Sequence, residues 1–362
     1  MSSTDVAIAW QGSGAPAKIA RLSRGVPRFY LFIGSTRTST IPGISIAGPS
    51  PEATLLTPGL DSEYLITGRV ISFDVIPMTP DGIPTPAVVS RAVIRAASIP
   101  ALVIDAGSYL SPKVPHAVLP SKEVGGRVDE CAGLSEGAAR RLFAEAEELG
   151  KSSASPNDTV VVGESIPGGT TTALGILAGL GYRAWGRVSS AGPENPHRLK
   201  ESVVRSGLRR CGCGGLWEVI SCVGDPVHVS IAGFVRGAAE AGAPIVLAGG
   251  TQMVAVLAIL RAAGAPLNDI VIGTTRWLVE DPSSDIVALV REVAPEVPIL
   301  YYSYDFGGFP YEGLRKYEVG YVKEGVGLGG LAVVAHLIKG LGKDAVHTAV
   351  LREYEGLLGR GG

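Results

Sequence analysis

Short apolar runs recur along this chain, each closed by Gly, Ser or Asp and followed by a segment with helical spacing of apolar positions. The runs at 29–34, 101–105, 160–162, 188–190, 219–223, 245–247, 270–272 and 299–302 are continuous rather than alternating. That pattern marks strands covered on both faces. Between them, residues 135–149, 172–180, 227–241, 253–263 and 331–338 carry apolar and small residues at helical spacing. Ser135 is placed to cap the first of these helices, with Leu142 and Leu149 on its apolar face. A rigid turn, Thr79-Pro80-Asp81-Gly82-Ile83-Pro84-Thr85-Pro86, precedes a further helix at 87–97.

The alternation predicts an α/β protein with a doubly wound, mostly parallel sheet, a Rossmann-like three-layer α/β/α arrangement. The chain divides on this reading into three parts. Residues 1–98 form an irregular N-terminal segment with a smaller subdomain, 99–345 the α/β domain, and 346–362 a C-terminal helix and tail. Ligands bind such sheets at the carboxyl ends of the strands. Asp105, the turn after residue 162, Gly249-Gly250 and Gly273-Thr274-Thr275 should therefore gather on one edge.

Composition changes this picture little. Apolar residues at 46% against 18% charged leave ample material for a core, and the 49 glycines and 25 prolines punctuate many short elements. A net charge of -2 with no long basic run argues against nucleic acid as a partner. Residues 241–260 are uncharged over about the length a bilayer needs. Their centre, Ala248-Gly249-Gly250-Thr251-Gln252, reads as a turn, which favours a buried strand–helix unit over a membrane span. The first eleven residues lack the layout of a signal peptide, so a soluble, cytoplasmic protein is expected. Of the cysteines Cys131, Cys211, Cys213 and Cys222, the pair at 211 and 213 is too close for a zinc knuckle and no second pair completes a site. Buried or free thiols are expected, with a disulfide only in an unusual source. No metal and no cofactor is assigned.

Two turns carry candidate chemistry. In the first, the apolar run at 160–162 leads into Gly163-Glu164, then Gly168-Gly169-Thr170-Thr171 and an uncharged helix. Backbone N–H groups at such a helix start suit a phosphate, and an acid beside them suggests chemistry rather than binding alone. No Lys follows the glycines, so this is not a P-loop, and it is not a G-x-G-x-x-G turn. In the second, Lys323-Glu324-Gly325-Val326-Gly327 again sets an acid before glycines that open an apolar helix. Lys323 is placed to pair with Glu324 and weaken it as a base. Asp225 suits either a ribose contact or a helix N-cap; Asp105 suits a ligand contact or a turn. Tyr302, in Tyr301-Tyr302-Ser303-Tyr304-Asp305-Phe306, suits base stacking or core packing. The histidines 116, 197, 228, 336 and 347 are scattered, and His336, on an apolar helix face, reads as structural.

Gly163-Glu164 with Gly168-Gly169-Thr170-Thr171, then Lys200, then Glu324-Gly325-Val326-Gly327, resembles the nicotinate-nucleotide:dimethylbenzimidazole phosphoribosyltransferase family, its archaeal branch most closely. The likeness in order and spacing runs from about residue 100 to 340, and Ile41-Pro42-Gly43-Ile44-Ser45 resembles the archaeal branch alone. It implies transfer of a phosphoribosyl group from nicotinate mononucleotide to an azole base, with release of nicotinate, in cobalamin lower-ligand assembly. By the same resemblance Glu324 matches the general base, Glu164 the acid of the first turn, and Lys200 the cation near the phosphate. Gly168, Gly169, Thr170, Thr171, Gly325 and Gly327 match the phosphate-binding backbone. Asp105, Asp225, Gly249, Gly250 and Tyr302 remain candidates for ribose or base contacts. A homodimer and small-molecule substrates are implied. Ile166-Pro167 and Gly168-Gly169 depart from the bacterial G-E-x-G-x-G-N-T-T turn, so the acceptor stays open between 5,6-dimethylbenzimidazole and another azole. The alternatives are a non-catalytic nucleotide-binding or regulatory protein, or a phosphoribosyltransferase with a different acceptor.

Overall fold

The computed structural model describes residues 5–79, 81–211 and 214–359. Pro80 of the rigid turn, Cys213 and the first four residues lie outside the described residues. One eight-stranded sheet organises the chain. Its strands are β1 (Val6–Trp10), β2 (Val26–Gly34), β3 (Ala101–Gly107), β4 (His116–Val118), β5 (Asp158–Ser165), β6 (Ile245–Ala248), β7 (Ile270–Thr275) and β8 (Ile299–Tyr302). They lie in the order β1-β8-β7-β6-β5-β2-β3-β4. Every pairing is parallel except β1 on β8.

The continuous apolar runs are explained by burial on both faces. In β5, Val160 and Val162 face one layer, with the helices Ala138–Ser153, Pro226–Glu240 and Thr251–Ala262, while Val161 faces the other. That second layer holds the helices Pro86–Ala96, Leu328–Lys339 and Lys343–Leu358. The three-layer α/β expectation therefore holds. β1 and β2, both from the first hundred residues, are strands of this same sheet, so residues 1–98 and 99–345 share one core.

Two expected strands are not strands. Residues 219–223 end the helix Leu216–Val223, which buries Val219, Ile220, Cys222 and Val223 against its neighbours. A short apolar run does not separate a strand from a buried helix by period alone. Residues 188–190 have no strand partner; the carbonyls of Val188 and Ser189 accept hydrogen bonds from the Lys200 ammonium instead. Ser135 does not cap the helix that starts at Ala138: its N–H and hydroxyl both donate to the Glu123 carboxylate, each at 2.6 Å. Cys211 and Cys222 form a disulfide between the helices His197–Cys211 and Leu216–Val223, and Cys131 is a free, exposed thiol. Among the described residues no helix is long and apolar enough to cross a membrane. Residues 241–260 form β6, the Gly249-Gly250 turn and most of the next helix.

Candidate active site

The strand order fixes where a site should lie. From β2 the chain moves outward to β3 and β4; from β5 it moves the opposite way to β6, β7 and β8. The switch point, where doubly wound sheets open a crevice, falls between β2 and β5. Glu164 stands at the carboxyl end of β5, paired across to Phe32 of β2.

The second acid turn packs onto this point. The Val326 N–H donates to the backbone carbonyl of Glu164 at 2.8 Å. A Cβ on Gly163 would lie 2.9 Å from the backbone N and Cα of Gly327, so only glycine lets the turns meet this closely. Val322 and Val326, which flank Glu324, take left-handed φ values of 60° and 53°. A β-branched residue in that region is strained by roughly 1–3 kcal/mol. The strain sits on either side of one carboxylate.

Glu164 is buried, Glu324 is half-buried, and both are held by few donors. Glu164 accepts the Ile166 N–H at 3.1 Å on one oxygen and the Gln252 side-chain amide at 3.0 Å on the other. Burial pushes its pKa to about 7, offset in part by the charge of His228 and the Ile166 N–H, and assisted by Asp225 and Asp61. Glu324 accepts from the N–H groups of Gly325 and Gly329 at 3.0 and 2.9 Å and from the Thr274 hydroxyl at 3.3 Å. Burial pushes it to about 8, against its two backbone donors and with the Glu164 charge adding to the rise. A Cβ on Gly250 would lie 3.6 Å from the Glu324 Cβ, which places that turn on the same centre. Gly249 packs beneath Met253.

Lys323 does not pair with Glu324. Its ammonium turns the other way to Asp281 at 2.7 Å, beside the Asn195 side-chain oxygen at 3.4 Å, and so leaves the base free of a cation. Lys200 lies in the same buried region and donates to the carbonyls of Ser189 and Val188 at 2.6 and 3.2 Å. Burial and then the Lys323 charge lower its pKa to about 7, partly offset by Asp281. An ammonium has three donors, so one remains. The hydroxyls of Thr171, in the first turn of the helix Gly169–Gly179, and of Ser190 are buried with no hydrogen-bond partner among the described residues. Thr170 beside them is half-buried.

Other sequence candidates are engaged elsewhere. Asp105 accepts from the N–H groups of Gly107 and Ser108 and pairs with Lys122 at 2.6 Å, which makes it the anchor of its own turn. Asp225 caps the helix Pro226–Glu240 and binds the His228 imidazole. The Tyr302 ring packs on Tyr304, with centroids 4.7 Å apart, in the aromatic cluster around Trp277 and Phe306. Asp61, His228, Gln252 and Asp281 were not singled out from the sequence. Asp61 is buried between the hydroxyls of Thr85 at 2.6 Å and Ser165 at 2.8 Å, and burial pushes it to about 6. Gln252 could have been found, as a polar residue within the uncharged stretch 241–260.

The arrangement provides two neighbouring carboxylates of raised pKa, a glycine-rich helix start with a hydroxyl that has no partner among the described residues, and a buried cation. A family model described as Phosphoribosyltransferase matches residues 90–275. A UPF0284 protein of Aeropyrum pernix is 54% identical over 330 residues, covering 90% of this chain and 91% of that protein. UPF0284 proteins of Pyrobaculum calidifontis and Sulfolobus acidocaldarius are 48% and 41% identical, over 90% and 91% of this chain and 95% of each relative. The solved structure of CobT from Thermus thermophilus superposes with a TM-score of 0.58 at 18% identity, over 95% of this chain and 90% of that one. A structure of the nicotinate-nucleotide-dimethylbenzimidazole phosphoribosyltransferase from the same organism gives 0.57 at 18%, with the same coverage. At that identity the likeness is one of fold.

Proposed function

This chain belongs to the phosphoribosyltransferase family, and on that premise we propose that it moves the phosphoribosyl group of nicotinate mononucleotide to an azole base, 5,6-dimethylbenzimidazole or a similar one, in cobalamin lower-ligand assembly. The observation that carries the reading is the junction of the two acid–glycine turns at the switch point, with Glu164 buried and Glu324 half-buried beside it. The phosphate sits at the start of the helix Gly169–Gly179, served by the backbone of Gly168 to Thr171, the Thr171 hydroxyl and the free donor of Lys200. Gly325 and Gly327 bring the second turn within reach of the same substrate.

One azole nitrogen attacks the anomeric carbon with its lone pair. The bond from that carbon to the pyridinium nitrogen breaks, and its electron pair leaves with nicotinate, so the configuration inverts. The proton on the other azole nitrogen passes to Glu324, whose burial makes it a stronger base than a solvated carboxylate. Glu164 faces the ribose as cationic character develops there, a role carboxylates also serve in glycoside cleavage. A homodimer follows from the same resemblance and is read by light scattering. Nicotinate release from nicotinate mononucleotide with a panel of azoles tests the reaction. Glu324→Gln should lower turnover by ~10²–10⁴-fold, the contribution of a positioned base, with nucleotide binding nearly unchanged; equal turnover would remove Glu324 from the mechanism.

A further inference from the structure

Behind Glu164 lies a buried polar chain that the proposed reaction does not use. Asp225 accepts the N–H groups of Val227 and His228 at 2.8 and 2.9 Å and the Thr172 hydroxyl at 2.5 Å, and its Oδ2 also meets Nδ1 of His228. Nε2 of His228 faces the side-chain oxygen of Gln252 at 3.0 Å, and the Gln252 NH₂ donates to Glu164 at 3.0 Å. Asp225, His228 and Thr172 are fully buried.

Proton accounting decides the state of this chain. Against burial, the His228 charge and the hydrogen bonds it accepts hold the Asp225 carboxyl below its ordinary range, so the proton shared between its Oδ2 and Nδ1 of His228 rests on the ring. The Gln252 oxygen can only accept, so Nε2 carries hydrogen as well. The ring is an imidazolium. A second satisfied arrangement has the Gln252 amide turned over. Its NH₂ then donates to a neutral His228, and its oxygen accepts from a protonated Glu164. The two arrangements contain the same number of protons and differ by one proton moved from His228 to Glu164. The Asp225 charge beside the ring favours the first.

We propose that Gln252 and His228 are positioning residues for Glu164: the imidazolium, fixed by Asp225, orients the Gln252 amide so that its NH₂ group holds Glu164 as a carboxylate toward the ribosyl centre. The part of this that concerns catalysis rests on the function proposed above. The need for such a device is plain from the charges facing Glu164. Burial and then Asp225 and Asp61 raise its affinity for a proton, and the charge of His228, with the Ile166 N–H, opposes them. Burial opposes a charged imidazole, yet the charge and hydrogen bond of Asp225, with Glu164 and Gln252 added, raise the His228 pKa. Space for the amide is also built in. A Cβ on Gly169 would lie 2.2 Å from the Gln252 side-chain oxygen, so glycine there leaves room for the amide.

Two measurements test the chain. In the first, nitrogen-labelled histidine reports the ring state of His228 by NMR in the unmodified protein and in Glu164→Gln. The imidazolium should persist above the ordinary histidine range and deprotonate at lower pH once the Glu164 charge is removed. A neutral ring at pH 7, or a midpoint unmoved in the variant, would overturn the chain whether or not any azole is a substrate. In the second, Gln252→Leu should lower kcat ~10- to 100-fold, the size expected for a hydrogen bond to a charged group. KM for nicotinate mononucleotide should stay within about threefold, and the acid limb of kcat should move to higher pH as Glu164 protonates more readily. Unchanged kcat with an unmoved acid limb would overturn the positioning role. If the unmodified protein releases no nicotinate with any azole, the transferase reading fails separately, and the NMR result alone decides whether the chain exists.

Discussion

Glu324 draws its basicity from what is missing around it. Lys323, its neighbour in sequence, is drawn away by Asp281 and Asn195, so two backbone N–H groups and one hydroxyl are the donors that hold the carboxylate. A carboxylate pushed to about 8, next to a second pushed to about 7, is largely protonated below neutrality. The ionised forms are the working ones, so activity is lost as pH falls through these values. We expect kcat, with the substrate phosphate keeping Lys200 protonated, to rise with pH and level off above about 8, and Glu324→Gln to lose the upper part of that rise along with its turnover. A profile flat between pH 6 and 9 would contradict the assignment. The acid–glycine pairs behind this were legible as motifs, since an acid before a glycine turn has few structural uses. The direction of Lys323 was not, because its partner Asp281 lies 42 residues away in sequence.

At the scale of elements, legibility followed the physics of burial. β2, β3, β5, β6, β7 and β8 are visible as continuous apolar runs because both faces are covered. β1 alternates, is half-buried and lies antiparallel at an edge, so its pattern carries little signal. The helix Thr57–Thr67 buries Asp61, Ser62 and Glu63, so it shows no apolar stripe. Glu63 turns inward because the N–H groups of Ile71, Ser72 and Lys113 all donate to it. Asp61 beside Glu164 was hidden for the same reason. The disulfide joining two neighbouring helices makes its own prediction. It spans a sequence separation of 11, for which loss of the cross-link costs about 3 kcal/mol. Cys211 is its exposed partner, so Cys211→Ser removes the bridge without cutting the core. Thermal denaturation should show a fall of several degrees, matched by reductant on the unmodified protein and absent when reductant is added to the variant.

The whole molecule places strained, charged chemistry at the switch point of an otherwise apolar sheet, and stability should register the cost. The folded pKa values of Glu164 and Glu324 lie above the ordinary 4.5, so the folded state holds their protons more tightly than the unfolded chain. Below about pH 4.5 neither state is ionised and there is no penalty. As pH rises through 7 and 8 the unfolded chain gains from ionisation first, and the penalty grows to a few kcal/mol for each group. The Tm of Glu324→Gln minus that of the unmodified protein should therefore increase from pH 5 to pH 9; a constant difference would mean that this carboxylate is not held protonated by the fold. The central claim, that the paired carboxylates transfer a ribosyl group to an azole, is tested most directly by incubating the protein with nicotinate mononucleotide and an azole panel and following nicotinate and the ribosylated azole by mass spectrometry. The account predicts both products in equal amounts, dependent on an azole and lost in Glu324→Gln; nucleotide that binds but releases no nicotinate with any azole would contradict it.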